Sequence, residues 1–403
     1  MRVLRQENAP QLEVKPAEPL FTLNYALVLV TQFAFGFSFS TFFILPKFLA
    51  TELRSGADVI GHVSAIAGIA SVLAVPFVGA SIDRYGRRRF ICAGALFQGA
   101  AAFGFIWVNK VGPLLYGLRI VHGLAFTFAF NAAATLVADI TPPQRLGRSL
   151  GIFGASMLVT NGLAPYLLEP LAEMSGWTPV FSVAGLASLF ALILSFFIDQ
   201  PSAPAQKKEA LHSTYRWSGV ELMPILFSSA MAGSAFGTLL TFYQPFALEI
   251  GLSRVSNFFI GFTLTAILSR VFLGGLADRF GRRRISIIAL FLYGCAVIAM
   301  AWLQAGMLFA LGAFFGLAHG LFYPALNALA VEGIPLIARG RVMSYFNGAF
   351  SFGFSASVVW LGIAAERFGY PLVFILAGLL TYLAVFALWF SGNQRRRVAP
   401  VNP

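Results

Sequence analysis

Residues 79–89 read Gly-Ala-Ser-Ile-Asp-Arg-Tyr-Gly-Arg-Arg-Arg, and residues 274–284 read Gly-Gly-Leu-Ala-Asp-Arg-Phe-Gly-Arg-Arg-Arg. Both copies follow the pattern G-x-x-x-D-R-aromatic-G-R-R-R, and both lie between long apolar runs. Charges at this density are expensive to bury in a bilayer, so each copy must lie in water at a membrane face. A repeat at about half the chain length indicates two related halves.

The composition of the chain is typical of integral membrane proteins. Of its 403 residues, 58% are hydrophobic and 11% are charged, whereas soluble domains carry roughly 25% charged residues. The net charge of +12 sits in short loops beside apolar runs, which argues against a nucleic-acid partner. Cys92 and Cys295 lie inside apolar runs, so neither a disulfide framework nor a metal site is expected. Residues 1–20 lack the apolar centre of a signal peptide.

Twelve apolar runs have the length of roughly 20 residues that a membrane helix needs. We predict spans at 23–47, 57–79, 89–108, 113–138, 148–170, 178–198, 220–247, 255–277, 284–303, 306–332, 341–364 and 371–391. The predicted fold is therefore an all-α membrane protein with twelve transmembrane helices in two pseudo-symmetric halves of six. The predicted regions are an N-terminal tail at 1–22, a first half at 23–198, a polar linker at 199–218, a second half at 219–391 and a C-terminal tail at 392–403.

The distribution of lysine and arginine predicts the orientation of the chain. Of the 28 lysines and arginines, 21 fall on the side of the two repeated turns, five fall on the other side, and Arg119 and Arg270 fall inside spans. Positive residues favour the cytoplasmic face. We therefore expect both termini, the linker and both repeated turns in the cytoplasm of a bacterium, with the chain in the inner membrane.

The repeat continues in spans 4 and 10. Each span contains His-Gly-Leu, at residues 122–124 and 319–321. Each also contains an asparagine, Asn131 or Asn327, and ends with an acid, Asp139 or Glu332. Two parallel six-helix halves place a cavity at their interface, near the middle of the membrane.

The duplicated turn resembles the loop signature of the major facilitator superfamily of transporters. The resemblance extends from about residue 20 to residue 391, and it implies alternating access, proton coupling and a monomer. Within that family the chain is most similar to the sugar-efflux and multidrug-efflux branch, which exports small amphipathic molecules. Arg119 and Gly123 resemble the R-x-x-x-G motif of proton-coupled antiporters. Of the antiporters' G-P-x-x-G-G motif, only Pro165 is present in the corresponding stretch 164–169.

In this family the repeated turn acts as a conformational latch. The resemblance implies one charge cluster of Asp83, Arg87 and Asp139, and a second cluster of Asp278, Arg282 and Glu332. An alternative is that the arginines only hold the loops at the cytoplasmic face. The predicted latch residues are Gly79, Asp83, Arg84, Gly86, Arg87, Asp139, Gly274, Asp278, Arg279, Gly281, Arg282 and Glu332.

Ionisable and polar residues inside spans are candidates for a solute or proton pathway. Arg119 and His122 share one helix face because they are three residues apart. The predicted spans have no carboxylate near mid-membrane, so their two arginines favour an anionic or electron-rich solute. For each polar residue the alternative is a hydrogen bond between helices, and for Arg270 it is a side chain that extends to the inner surface. The predicted pathway residues are Gln32, Arg119, His122, Asn131, Tyr243, Gln244, Arg270, His319, Tyr323 and Asn327.

These features predict a secondary active transporter that exports a small organic solute in exchange for protons. The sequence contains no nucleotide-binding loop, so ATP is not the direct energy source, and no enzyme activity, cofactor or bound metal is expected. The expected partners are a small-molecule substrate, the lipid bilayer and protons. One alternative is uptake or exchange of an organic anion bound by Arg119 and Arg270. Another is a non-transporting sensor or assembly factor with the same fold.

Overall fold

The computed structural model describes residues 22–142, 145–200, 219–334 and 336–398. The side chains of Ala80, Asp83, 219–221, 336–338 and 392–398 also lie outside that description. The predicted tail at 1–22 and the predicted linker at 199–218 therefore fall almost entirely outside the described residues.

Apolar α-helices make up the chain, and no strand occurs in the described ranges. Long apolar runs fold as helices because a helix satisfies its backbone hydrogen bonds internally, as a bilayer requires. The helices are α1 (Leu23–Thr41), α2 (Leu45–Thr51), α3 (Ala57–Tyr85), α4 (Arg87–Gly104), α5 (Pro113–Ile140), α6 (Leu146–Ser175), α7 (Trp177–Ser195), α8 (Gly219–Glu249), α9 (Asn257–Leu273), α10 (Leu276–Phe280), α11 (Arg282–Ala299), α12 (Leu308–Ala330), α13 (Leu336–Phe368) and α14 (Tyr370–Val398). Short 3₁₀ turns lie at Phe42–Ile44, Phe105–Trp107 and Met300–Trp302.

The predicted twelve spans correspond to these helices. Within the described ranges, eleven helical segments are long and apolar enough to cross a membrane, and α9 is a shorter apolar helix. Span 8 is interrupted at Gly274 and Gly275, between α9 and α10, whereas the equivalent span 2 is the continuous helix α3. Paired glycines weaken a helix, which explains this difference. The last predicted span, 371–391, agrees with the membrane-spanning segment Tyr370–Ser391, and α14 continues beyond that segment to Val398.

Many large apolar side chains remain exposed along the helices. They include Leu73, Phe77, Phe272 and Phe386, each more than half exposed. A soluble monomer rarely exposes so much contiguous apolar surface. This surface therefore suits contact with lipid tails.

Each repeated turn is a single glycine between two helices. Gly86 separates α3 from α4, and Gly281 separates α10 from α11. Both have a φ of +95°, which glycine adopts readily and other residues adopt only with strain. The Asp-Arg pair of each repeat consequently belongs to the last turn of one helix, and the three following arginines begin the next helix.

The helices form a first set, α1–α7, and a second set, α8–α14. The sets meet where α3 packs on α13 and where α6 packs on α9. Glycines allow close approach at both places, since Gly61 lies against the backbone of Val358 and Gly162 against Thr263. We call the end that carries Gly86 and Gly281 the arginine-rich end, and the other the opposite end.

Candidate functional site

A cavity of about 250 Å³ lies between the two helix sets. Its walls come from the α1–α2 segment, α3 and α5 of the first set and from α8 and α13 of the second set. Seven phenylalanines line it, together with a few polar residues. The polar lining residues are Ser64, Ser71, Arg119, His122, Thr241 and Ser351. This composition, mostly apolar with a few polar groups, is typical of small-molecule sites.

Arg119 fixes α5 against α3 while it lines the cavity. Its Nε donates to the carbonyl oxygen of Val63 at 3.0 Å, and its Nη2 donates to that of Ser64 at 3.4 Å. Gly123, one turn later, lies directly against the backbone of Ala67. Positions i and i+4 share a helix face, so the R-x-x-x-G sequence docks one helix on its neighbour.

His122 lies in an aromatic wall of the same cavity. Its ring stacks on Phe39, with centroids 4.5 Å apart and planes 13° apart, and lies 4.6 Å from the ring of Phe42. Only 2% of the residue is exposed. Its Nδ1 is buried and has no hydrogen-bond partner among the described residues. Buried polar atoms normally have a partner, so this nitrogen is an exception among the described residues.

Lys47 ties the first set to the second set at the opposite end. Its Nζ lies 2.6 Å from Glu169 Oε1 and 2.9 Å from Glu173 Oε1. It also donates to the carbonyl oxygen of Ser253 in the second set, at 2.6 Å. Both Lys47 and Glu169 are buried, and a buried charge is tolerated only when it is paired and hydrogen-bonded.

Glu169 makes the second half of this connection. Its two carboxylate oxygens accept hydrogen bonds from the backbone N–H groups of Val255 and Ser256, at 2.9 and 2.7 Å. We call Lys47, Glu169, Glu173 and the backbone of 253–256 the inter-set clasp. At the arginine-rich end, no hydrogen bond or ion pair between described residues joins the two sets. The clasp therefore closes one end of the cavity.

The side chain of Gln244 adds a further connection between the two sets, because it bonds to the backbone where the α1–α2 segment is interrupted. In a continuous helix the N–H of Lys47 would donate to the carbonyl oxygen of Phe43. A 3₁₀ turn at Phe42–Ile44 and Pro46 in the first turn of α2 break that pattern. Gln244 takes both free groups, since its Nε2 donates to Phe43 O at 2.6 Å and its Oε1 accepts from Lys47 N at 3.3 Å. Phe43 lines the cavity, so these two hydrogen bonds, which we call the Gln244 bridge, lie beside the cavity wall.

Four of the predicted latch residues form two ion pairs, one largely buried and one exposed. Arg87 Nε lies 2.9 Å from Asp139 Oδ2, and both side chains are largely buried. Arg282 Nη2 lies 3.3 Å from Asp278 Oδ1, where the aspartate side chain is 72% exposed.

The other charged residues of the predicted latch are Asp83, Arg84, Arg279 and Glu332. The side chain of Asp83 lies outside the described residues. Glu332 is exposed, and no described hydrogen bond joins it to either partner of the second pair, because Arg282 Nη1 donates to the carbonyl oxygen of Ala328 instead. Arg84 and Arg279 lie over the rings of Tyr85 and Phe280.

The glycines of the predicted latch occupy two kinds of position. Gly86 and Gly281 form the turns themselves. Gly79 lies inside α3 with open space around it, and Gly274 lies at the end of α9 close to the carbonyl oxygen of Arg270.

Among the predicted pathway residues, Arg119 and His122 line the cavity, and the other eight are not part of its lining. Within the first set, Gln32 Nε2 faces Met157 Sδ, and Asn131 bonds Thr127 of its own helix. Gln244 forms the Gln244 bridge to the backbone of Phe43 and Lys47.

In the second set, the predicted pathway residues lie among their own helices. Tyr243 donates to the carbonyl oxygen of Val255. His319 lies 3.4 Å from the Tyr293 hydroxyl. Tyr323 donates to Asn347, and Asn327 bonds the backbone of Tyr323. Arg270 Nε is buried without a described partner.

Sequence comparison identifies the family. The sequence model of the Major Facilitator Superfamily matches residues 28–262 and 222–402, which together cover most of the chain. The chain belongs to the major facilitator superfamily. It is therefore a multi-pass membrane transporter, and members of this family are not enzymes.

Curated relatives in the superfamily match over nearly their whole length. The multidrug resistance protein MdtG of Salmonella arizonae is 28% identical over 358 residues, which are 84% of this chain and 86% of the relative. MdtG of Serratia proteamaculans is 28% identical over 376 residues, 88% of this chain and 90% of the relative.

Solved structures of transporters share the fold. The inward-open xylose transporter XylE of E. coli superposes with a TM-score of 0.75 at 14% identity, over 92% of this chain and 96% of that one. A mutant of the nucleoside transporter NupG gives 0.75 at 13% identity, over 92% and 100%.

Sequence reasoning missed the inter-set clasp of this superfamily member. Lys47, Glu169 and Glu173 each read as a charge near the end of a span, where charges are common. Their partners are more than a hundred residues away along the chain. One available signal was the coincidence of two acids four residues apart on α6, Glu169 and Glu173, with a lysine at the end of span 1 on the same membrane side.

Proposed function

We propose that the protein exports small organic solutes from a bacterial cell by alternating access, in exchange for protons. Relatives that carry the name multidrug resistance protein MdtG support export, because they align over more than four fifths of the chain. The phenylalanine-rich cavity suits amphipathic solutes. The excess of lysine and arginine on one side supports a cytoplasmic arginine-rich end and cytoplasmic termini in the inner membrane.

The observation that supports this proposal is a cavity between two helix sets, closed at one end by contacts that join the two sets. The inter-set clasp and the Gln244 bridge each join the first set to the second at this end. A hydrogen bond from the backbone N–H of Ala57 to Glu366 Oε2, at 2.6 Å, adds to this closure. Such contacts can break as a unit when the sets rock apart, which is the motion that alternating access requires. With the predicted orientation, the structure is closed towards the outside.

The repeated turns fit the proposed latch at the other end. Arg87 and Asp139 tie α4 to the end of α5, and Arg282 ties α11 to the end of α12 through the carbonyl oxygen of Ala328. Each turn thus stiffens one set, and a stiff set can move as a body. Each predicted half, 23–198 or 219–391, contains one of the two turns, so we expect each half to move as one body.

Proton coupling needs a group that can change its protonation during the cycle. His122 in the cavity wall, Glu169 in the clasp and His319 among the helices of the second set are buried candidates. Glu169 is fully buried and holds both a lysine and two backbone N–H groups of the other set. When the sets separate, Glu169 loses the two backbone donors of the second set and keeps Lys47, which belongs to its own set.

The second candidate function, uptake of an organic anion bound by Arg119 and Arg270, has partial support. Arg119 lines the cavity, whereas Arg270 is not part of its lining. An anion would therefore meet one arginine rather than two. This arrangement favours a single charged subsite in an otherwise apolar cavity.

Proton-coupled export is tested in inside-out membrane vesicles from cells that overproduce the protein. Respiration acidifies the vesicle lumen, and a pH-sensitive acridine dye reports the gradient. Ethidium, Nile red and naphthoate supply a cationic, a neutral and an anionic amphipathic compound. At least one should dissipate the gradient in these vesicles and not in vesicles without the protein. If compounds accumulate in the lumen without dissipating the gradient, export stands and proton coupling is wrong. If none accumulates and none dissipates the gradient, the export proposal fails.

A further inference from the structure

The charges around the cavity discriminate against cations. Among the described residues that line it, Arg119 is the one with a fixed charge, and none carries a carboxylate. Glu169 and Glu173 on α6 hold Lys47 in the clasp and do not belong to the lining. A cationic solute would lose its hydration here without gaining a counter-charge.

Arg119 retains hydrogen-bonding capacity towards the cavity. Nε and Nη2 donate to carbonyl oxygens of α3, whereas no described residue accepts from Nη1. The guanidinium is held in place by α3, so little side-chain entropy is lost when a ligand binds. A pre-positioned arginine with free donors favours a carboxylate, which accepts hydrogen bonds through two oxygens.

His122 provides a second, independent indication of a ligand. Its Nδ1 is buried and unpartnered among the described residues, in a side chain that lines the cavity and is 2% exposed. It lies on the same face of α5 as Arg119, one turn away. Leaving a polar atom unpaired in an apolar wall is unfavourable, and a polar atom of a solute would relieve that penalty.

The walls favour an aromatic ring. Phe39, Phe43, Phe126, Phe236, Phe350 and Phe354 come from both helix sets. Aromatic side chains hold a ring through stacked and edge-to-face contacts. Only a small ring system fits a cavity of about 250 Å³.

We propose that this cavity binds small aromatic carboxylates, with the carboxylate on Arg119 and His122 and the ring among the phenylalanines. This inference rests on the proposed transport function and names the class of solute. The arginine Nη1 donates to one carboxylate oxygen, and His122 Nδ1, when it carries the proton, donates to the same group.

A set of three ligands with one ring system tests the class. Naphthoate, naphthamide and naphthylmethylammonium are titrated into the purified full-length protein in detergent by calorimetry, with empty micelles as the reference. Naphthoate should bind at least tenfold more tightly than naphthamide, and the ammonium compound should bind more weakly than the amide. Equal or tighter binding of the ammonium compound overturns the proposal, and so does the absence of naphthoate binding.

Variants locate the binding to the two residues. Arg119→Gln should remove the preference for naphthoate over naphthamide, and Arg119→Lys should restore part of it. His122→Gln should weaken naphthoate at least fivefold, whereas His62→Gln, the same change on α3 outside the lining, should leave it unchanged. If Arg119→Gln does not fold, the ligand series and the two histidine variants still decide. Transport of ethidium without naphthoate binding would reject this class and keep the transporter, while naphthoate binding without any transport would reject the proposed function alone.

Discussion

The two copies of the repeated turn differ most at the level of single ion pairs. Arg87 and Asp139 are largely buried, and their nitrogen and oxygen atoms are 2.9 Å apart. Asp278 and Arg282 lie on either side of the Gly281 turn, where their side chains are more exposed and 3.3 Å separates Oδ1 from Nη2. Removing one partner of a buried pair leaves an uncompensated charge, whereas an exposed pair adds little stability. The Arg87–Asp139 pair and the Asp278–Arg282 pair are therefore expected to differ in their contribution to stability.

This difference predicts unequal effects of matched substitutions. Asp139→Asn should destabilise the protein by about 1–3 kcal/mol, because it replaces the carboxylate of a largely buried ion pair with a neutral amide. Asp278→Asn should change stability by less than about 1 kcal/mol. Thermal unfolding of the purified variants in detergent measures both. Equal shifts in melting temperature would contradict the distinction between the pairs.

Single residues also show how far the sequence predicts the candidate site. Arg119 and His122 were predicted from their charge, their titratable ring and their shared helix face, and both line the cavity. Gln32 and Asn131 were predicted from the same polarity, but they bond within their own helix set. Polarity inside a span is visible in a sequence, whereas the direction in which a side chain points depends on the rotation of each helix. That rotation is set by packing between helices far apart in the chain.

At the level of whole helices, the R-x-x-x-G sequence is a docking device. Arg119 bonds two carbonyl oxygens of α3, and Gly123 lets the helices approach until they touch. The second set uses only the glycine, because Gly320 packs against Ala266 and Ser269 of α9 while Gly316 stands where the arginine would be. The arginine is consequently an addition peculiar to the first set, and it brings a charge to the cavity.

Two glycines of α5 allow a matched test of this docking. Gly123→Ala should destabilise the protein by about 1–3 kcal/mol, because the new methyl group collides with the backbone of Ala67. Gly117→Ala, on the same helix, meets open space and should be neutral or slightly stabilising, since alanine favours helix. Thermal unfolding of both variants provides the comparison. A loss for Gly117→Ala as large as the loss for Gly123→Ala would contradict the docking role of Gly123.

The interruption of span 1 shows what sequence patterns leave undetermined at this scale. Pro46 signals a break, but the apolar run continues, and the predicted span ended at residue 47, whereas α2 continues to Thr51. The broken hydrogen bond is tolerated because Gln244 of the second set fills it. A residue almost two hundred positions away thus decides whether the break is stable. Hydropathy within one span contains no information about such a partner.

At the scale of the molecule, the fold was predictable because a bilayer permits few solutions. Every span must satisfy its own backbone, so apolar runs of sufficient length become helices, and the duplicated turn indicated two similar sets. The conformational state was not predictable in this way. It depends on the balance of free energy between closure at either end, and the residues that close the opposite end, Lys47 and Glu169, are unremarkable in the sequence.

Substitution of Glu169 tests the balance of free energy between closure at the two ends. Glu169→Gln removes the ion pair with Lys47 and places an amide N–H group against the backbone donors of Val255 or Ser256. The hydrogen bonds from Val255 and Ser256 join the two sets, so weakening them raises the free energy only of the state with the clasp closed, by about 1–3 kcal/mol. The ion pair with Lys47 lies within the first set, and its loss affects both states. The population with an open opposite end should therefore rise several-fold. Glu173→Gln is the matched control, because that side chain is 35% exposed and Lys47 keeps Glu169.

Spin labels on exposed residues at the opposite end report this opening. Asn109→Cys and Gln304→Cys mark the two sets, in a background with Cys92 and Cys295 replaced by alanine. Pulsed electron–electron double resonance should show a longer distance between the two labels in Glu169→Gln. The distribution of distances should be almost unchanged in Glu173→Gln. An unchanged distribution in both variants would mean that packing of α3 on α13 and of α6 on α9 holds the end closed without the clasp. An equal shift in both would assign the closure to surface charge. An effect specific to Glu169 would show that its carboxylate, and not the neighbouring carboxylate of Glu173, keeps that end closed.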